Sequence, residues 1–325
     1  MKHPLGLVLP LLLAAPAAAA DYFGTAPDLR PAYPQDWALT DDSPLRFESG
    51  LRYWYSVGTQ EHNVSTYSQR VESKSSSAEI FARVEDLSTQ TFLEATGGYG
   101  IAHQGSYSTN GGASVDLPAA RLGYVGADFG WLPLGSETGG VGFLAGYQYT
   151  NDSPDTGRGD FLVTPTVVNN GGGFYSLGGG GDSKVNDFNV HSLKLGFTGK
   201  ADMGTFDILG EAAAIPYSWV TGTYGGFSIP ATPDFEQASE VSINGHGYGA
   251  SGKLMVGFHP TENFTIRVGG RASYLTGQYD ANFDTVSLIP AGGGAPTLSR
   301  QRYIINNNPF SMIRYGALLE LSGRF

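Results

Sequence analysis

The chain ends in the stretch PFSMIRYGALLELSGRF, Pro309 to Phe325, and this stretch decides the fold. Read backwards from the carboxyl terminus, Phe325, Gly323, Leu321, Leu319, Ala317, Tyr315 and Ile313 alternate with Arg324, Ser322, Glu320, Leu318, Gly316 and Arg314. A period of two with one apolar and one mostly polar face predicts a β-strand. The apolar face closes on an aromatic, and the polar face carries both signs of charge.

The other end of the chain says where such a strand would work. Lys2 and His3 form a basic head, Leu5 to Ala15 is an apolar run, and Ala18, Ala19 and Ala20 precede Asp21. Residues 1–20 therefore read as a cleaved secretory signal peptide. The apolar run is too short for a bilayer-spanning helix, which needs ~20 residues, and no later stretch approaches that length. Any membrane embedding must then be by barrel. Residues 21–44 hold four prolines and no period, and read as an extended periplasmic segment.

Composition agrees with a barrel. There are 47 glycines, 18 phenylalanines and 18 tyrosines, which suit a twisted sheet with aromatic girdles. The absence of cysteine excludes a disulfide framework and a thiolate metal site. A net charge of −11 argues against nucleic-acid binding.

From residue 45 to 325 the alternation predicts ten strands: 45–58, 76–86, 91–104, 118–131, 139–151, 187–200, 205–222, 242–258, 263–279 and 309–325. Four short turns (87–90, 133–138, 201–204 and 259–262) alternate with five long connections (59–75, 105–117, 152–186, 223–241 and 280–308). This is the sidedness of a transmembrane antiparallel β-barrel, with short periplasmic turns and long extracellular loops. An even strand number closes without an edge. Outward aromatics sort by depth: Phe47, Phe143, Phe258, Phe264 and Phe325 at periplasmic ends, Tyr53, Tyr55, Tyr147, Tyr149 and Tyr274 near outer ends.

The final strand, with its terminal Phe325, resembles the closing strand of bacterial outer-membrane barrels. That resemblance implies an assembly signal, carried by Tyr315, Leu319, Leu321 and Phe325, read by the barrel-assembly machinery. The stretches VGFLAGYQYT (141–150), LKLGFTGKADMGTFDILGEAAAIPYSWV (193–220) and LMVGFHPTENFTIRVGGRASYLTGQYD (254–280) resemble the omptin family of ten-stranded surface proteases. The resemblance implies the fold. The family's activity rests on an aspartate pair in the second outer loop and an Asp-x-His pair in the fourth. Here the second loop offers only Asp116; the fourth has Asp234, Glu236 and Glu240 but no histidine. His246 has Asn244 two residues before it. No catalytic residue is therefore assigned.

Other chemistry fares no better. His191–Ser192, His246–Ser251 and His103–Ser106 are odd-spaced and point to opposite faces, which leaves cross-strand pairs open. Asp152, Asp155 and Asp160 match no calcium loop and read as solvated loop charge, so no metal and no cofactor is expected. The glycine runs 171–173 and 178–181 read as flexible surface loop.

The inward positions carry the remaining signal. Arg46, Arg52, Arg83, Lys194, Lys253, Arg267, Arg271 and Arg314 face Glu48, Glu79, Glu85, Glu94, Glu211 and Glu320. In a lumen as narrow as ten strands allow, these charges should pair into a plug. Inward glycines (Gly50, Gly98, Gly142, Gly146, Gly196, Gly257, Gly269 and Gly316) leave the alternative of a narrow passage. The reading is a monomeric Gram-negative outer-membrane protein, in contact with lipid and lipopolysaccharide. It is non-enzymatic, with a structural, adhesive or ligand-contact role through its outer loops. A narrow porin-like channel is the alternative, and a diverged hydrolase built on Asp116, Asp234 and Glu236 the second.

Overall fold

A computed structural model describes residues 43–325 except Glu137, Ser183 and Pro233; residues 1–20, expected to be a signal peptide, and most of the expected periplasmic segment 21–44 lie outside the described residues. Ten long strands form the wall: β1 Leu45–Val64, β2 Tyr67–Asp86, β3 Thr91–Thr109, β4 Ala120–Ser136, β5 Gly139–Pro154, β6 Asp187–Asp202, β7 Phe206–Tyr224, β8 Val241–Thr261, β9 Phe264–Ile289 and β10 Thr297–Arg324. Each pairs antiparallel with its sequence neighbours, and β1 pairs with β10 from Glu48↔Arg324 to His62↔Phe310. The sheet is a closed ring. Phe325 clasps β1 at the seam, its N–H donating to the Phe47 carbonyl at 3.0 Å and its carbonyl accepting from Phe47 at 3.2 Å.

The alternation expected from the sequence sets the faces. Along β1, Arg52, Trp54 and Ser56 are buried while Leu51, Tyr53 and Tyr55 are exposed to the outside. The outward aromatics Phe47, Phe143, Phe258, Phe264 and Phe325, and Tyr53, Tyr55, Tyr147 and Tyr274, are all exposed, as rings lying against lipid headgroups must be.

The strands run well past the membrane. A bilayer takes ~9–11 residues of tilted strand, whereas β1 and β2 each have 20, β9 has 26 and β10 has 28. Two of the five long outer connections are thus not loops. Residues 59–75 form a continuous hairpin that turns at Ser65 and Thr66, Ser65 in the left-handed region. Most of 280–308 continues the β9–β10 ladder to Ile289↔Thr297. Above the bilayer the outward face no longer needs apolar residues, so Thr59, Glu61 and Asn63 read as loop. The glycine run 171–173 turns a small hairpin that pairs Thr166–Asn169 with Tyr175–Gly178, and Gly171 and Gly173 adopt positive φ.

Candidate functional site

The lumen is filled in three levels, which ascend β1 from Glu48 through Arg52 to Gly58. At the lowest, the Arg267 guanidinium bridges Glu48, Asp207 and Glu320. Arg324 reaches Glu48 and Asp207, and His259 Nε2 lies 3.0 Å from Asp207. Arg83 and Lys200 share Glu85 at 3.3 and 2.7 Å.

Arg52 centres the middle level. Its donors reach Glu79 at 3.1 Å, Glu94 at 3.0 Å and Glu320 across the β1–β10 seam. Arg271 also holds Glu79 at 3.1 Å and lies over the Trp54 ring, 3.9 Å from its centroid. Lys253 joins Glu94 to Glu211, and Lys194 pairs with Asp128 at 2.6 Å. At the upper level Arg314 grips Asp152 side-on, with Nε and Nη2 both donating to the carboxylate at 2.7–3.0 Å. Its remaining hydrogens reach Ser56, Ser73 and Ser75.

Thirteen of the fourteen inward charges named from the sequence enter this network. The exception is Arg46, which is exposed at the periplasmic rim and makes no ion pair among the described residues. Five further charges join it. Arg324 shares the polar face of the last strand with Glu320 and Arg314, Asp128 and Asp207 stand among glycines and aromatics on β4 and β7, and Lys200 lies at a strand end. Asp152 had read as a solvated loop acid. It is buried, because β5 continues to Pro154 and turns the carboxylate inward onto Arg314. Counting one charge each, the paired anions (Glu48, Glu79, Glu85, Glu94, Asp128, Asp152, Asp207, Glu211, Glu320) equal the paired cations (Arg52, Arg83, Lys194, Lys200, Lys253, Arg267, Arg271, Arg314, Arg324). The interior is electrically balanced.

The inward glycines do not open a passage. A Cβ at Gly98 would strike the Tyr124 ring, one at Gly50 the Phe81 ring, and one at Gly146 the Asp128 carboxylate. These glycines seat neighbouring side chains across the strand, so their space is already occupied.

Above Arg314 the lumen turns apolar. Phe188, Tyr224, Tyr279, Phe283 and Phe310 pack with Val64, Val220, Val241 and Ile243 into one buried cluster. Phe227, from the 223–241 connection, is 4% exposed within it, and Tyr67 donates to the Gly226 carbonyl at 3.2 Å. The Leu162 N–H donates to the Gln237 carbonyl, tying the third outer connection to the fourth across the mouth. His62 stacks on Phe188, with centroids 4.4 Å apart, and its Nδ1 meets no partner. Burial pushes this imidazole down to about 4. The outer mouth is therefore closed by packed side chains.

The candidate chemical groups do not assemble. Asp116 pairs with Ser106 beside β3, and Glu236 pairs with Val286 beside β9, on different hairpins. Partial burial, and after it the nearby Asp160 carboxylate, raise the Glu236 carboxyl. A cross-strand Ser–His contact does occur, Ser75 Oγ to His103 Nδ1 at 2.9 Å. Among the described residues no carboxylate stands behind this imidazole, which a nucleophile–base pair needs for orientation. His191 is held by Tyr147 at 2.6 Å and His259 by Thr265 at 2.9 Å.

No protein-family model and no curated protein matches the chain. Among solved structures, the outer membrane protease OmpT of Escherichia coli superposes with a TM-score of 0.56, covering 86% of this chain and 96% of that one at 11% identity. The translocator domain of the autotransporter NalP from Neisseria meningitidis gives a TM-score of 0.32 at 13% identity, covering 87% and 91%. At 11% identity the first is a likeness of fold alone, and the second is too distant to carry more. Ring closure, sidedness, the outward aromatics and this likeness define a ten-stranded outer-membrane β-barrel, omptin-like in architecture.

Proposed function

We propose that this protein is a closed, non-conducting and non-enzymatic surface barrel of the Gram-negative outer membrane. It is exported by the signal peptide 1–20 and inserted by machinery that reads its last strand. Its work is contact: the outer hairpins meet ligands, partner proteins or the lipopolysaccharide layer. One observation carries this reading, the double closure of the lumen by a balanced ion-pair plug and a packed apolar mouth. A porin needs a continuous wet path, which sixteen strands leave open and ten packed strands do not. The separation of Asp116 from Glu236 argues in the same direction against a hydrolase. The contact role draws support from apolar side chains exposed on the extended hairpins: Phe174 at 76%, and Ile289 and Ile304 at 50% and 54%.

The test is a paired assay on the refolded protein. Liposome swelling with small sugars and cleavage of a peptide library, with and without lipopolysaccharide, should both match protein-free controls. Swelling would establish the channel reading, and turnover lost on replacing Asp116, Asp234 and Glu236 with Ala would establish the hydrolase.

A further inference from the structure

Two cavities lie inside the barrel, stacked along its axis and meeting at Trp54, Tyr124, Gln148 and Ser273. Each has a volume of ≈ 80 Å³. The lower is walled by the middle level of charges, Arg52, Glu94, Lys194 and Lys253 among them. The upper is walled by Leu122, Val190, Ile215, Leu275 and Met312 on its apolar side, and by Thr150, Ser192 and the Asp152–Arg314 pair on its polar side.

Trp54 stands where the two meet. It is 5% exposed, and its buried Nε1 finds no acceptor. The Arg271 guanidinium lies over the same indole, 3.9 Å from its centroid, with Nη1 committed to Glu79 and the buried Nη2 likewise without an acceptor among the described residues. Tyr124 packs edge-on against the indole at 5.6 Å and donates to Glu79 at 2.9 Å, so the stack is fixed from both sides. Buried donors are nearly always paired, and leaving two unpaired on one rigid stack is costly. The arrangement asks for an oxygen.

The charge of that oxygen follows from the balance of ions around it. Every surrounding carboxylate already has its cation, so a bound carboxylate would add an uncompensated charge in a buried space. A ketone or amide carbonyl accepts both hydrogens without that cost. The apolar side of the upper cavity, Leu122 to Met312, suits a compact hydrocarbon ring. We propose that the lumen contains a binding site for small uncharged carbonyl compounds, with the oxygen on Trp54 Nε1 and Arg271 Nη2 and the ring in the upper cavity. The site is independent of the contact role of the outer hairpins.

Cyclohexanone is the probe, with cyclohexanecarboxylate and cyclohexane as comparisons. The refolded protein, labelled with ¹⁵N-tryptophan, has four indole N–H groups to follow. Cyclohexanone should shift the Trp54 resonance saturably and leave the others in place. By calorimetry, Trp54→Phe, which keeps a ring beneath Arg271, should weaken binding about tenfold, the loss expected for one buried hydrogen bond. Arg271→Lys should do the same; if that variant fails to fold, Trp54→Phe decides alone. No saturable shift, equal movement of all four indoles, or unchanged affinity in Trp54→Phe would reject the site and leave water as its occupant. Tighter binding of the carboxylate than of the ketone would overturn the choice of a neutral ligand.

Discussion

Replacing Arg314 with Met isolates the upper ion pair. Among the described residues Asp152 has no other cation within salt-bridge distance, so Arg314→Met strands its carboxylate in the lumen. The same change removes the donor from Ser56, Ser73 and Ser75, but these hydroxyls can reorient at small cost. Removing one partner of a buried pair costs roughly 3–5 kcal/mol, most of it the penalty of the charge left behind. Asp152→Leu strands the guanidinium instead; its serine partners soften the loss, to about 2–3 kcal/mol. The double variant removes both charges and should lie within ~1–2 kcal/mol of the parent, because paired replacement by apolar groups is often near neutral. The coupling energy should therefore be about 5 kcal/mol, and at least about 3. Urea unfolding in detergent micelles, followed by tryptophan fluorescence and by heat-modifiable migration on gels, measures all four corners. Additive single losses, or an Arg314→Met cost below ~1 kcal/mol, would refute the claim that Asp152 is a buried lumen charge.

Three further outcomes follow from the outer mouth and the seam. His62 binds a proton less readily in the folded state, about 4 against 6.5, so the unfolded state protonates first as pH falls. Stability is full above pH 6.5, falls by roughly 3 kcal/mol between pH 6.5 and 4, and then levels off for this group. His62→Phe should flatten that window relative to the parent in pH-dependent unfolding; an unchanged slope would contradict the burial of His62. Phe227→Ala should cost about 3–5 kcal/mol and render residues 225–240 sensitive to protease added outside, read by limited digestion of intact cells. Phe325→Ala, which keeps the two backbone bonds to Phe47, should lower the assembled fraction in cells while the purified variant still refolds in detergent, because the Phe325 side chain is exposed and contributes little packing. An equal loss in both settings would assign it to stability rather than to assembly.

The wall of the barrel was largely legible in the sequence because lipid enforces a strict rule. Between the aromatic girdles the outward residues are apolar, so the alternation through Leu51, Tyr53 and Tyr55 locates β1 and assigns Arg52 to the lumen. Above the outer girdle the rule lapses. Gln60, His62 and Val64 point inward as regularly as Arg52 does, but Thr59, Glu61 and Asn63 opposite them are polar, and the hairpin reads as loop. The apolar plug was hidden for the same reason: Phe188, Tyr224, Phe227 and Phe310 are far apart in the chain, and only the ring brings them together. The pairing of charges followed from crowding, but not which partner each takes, since β1–β10 closure joins Arg52 to Glu320 across the whole chain. Inward glycines were read as room; a rule for which cross-strand ring fills each one would have found Tyr124 over Gly98.

Conductance tests the closed lumen most directly. The refolded protein, inserted into a planar lipid bilayer in concentrated potassium chloride, should give no discrete current steps at either polarity. Arg314→Met combined with Phe227→Ala, which loosens the upper pair and the mouth but leaves the Arg52 and Arg267 levels in place, should stay silent as well. Steady, protein-dependent steps from the parent protein would contradict the closed barrel and make it a channel.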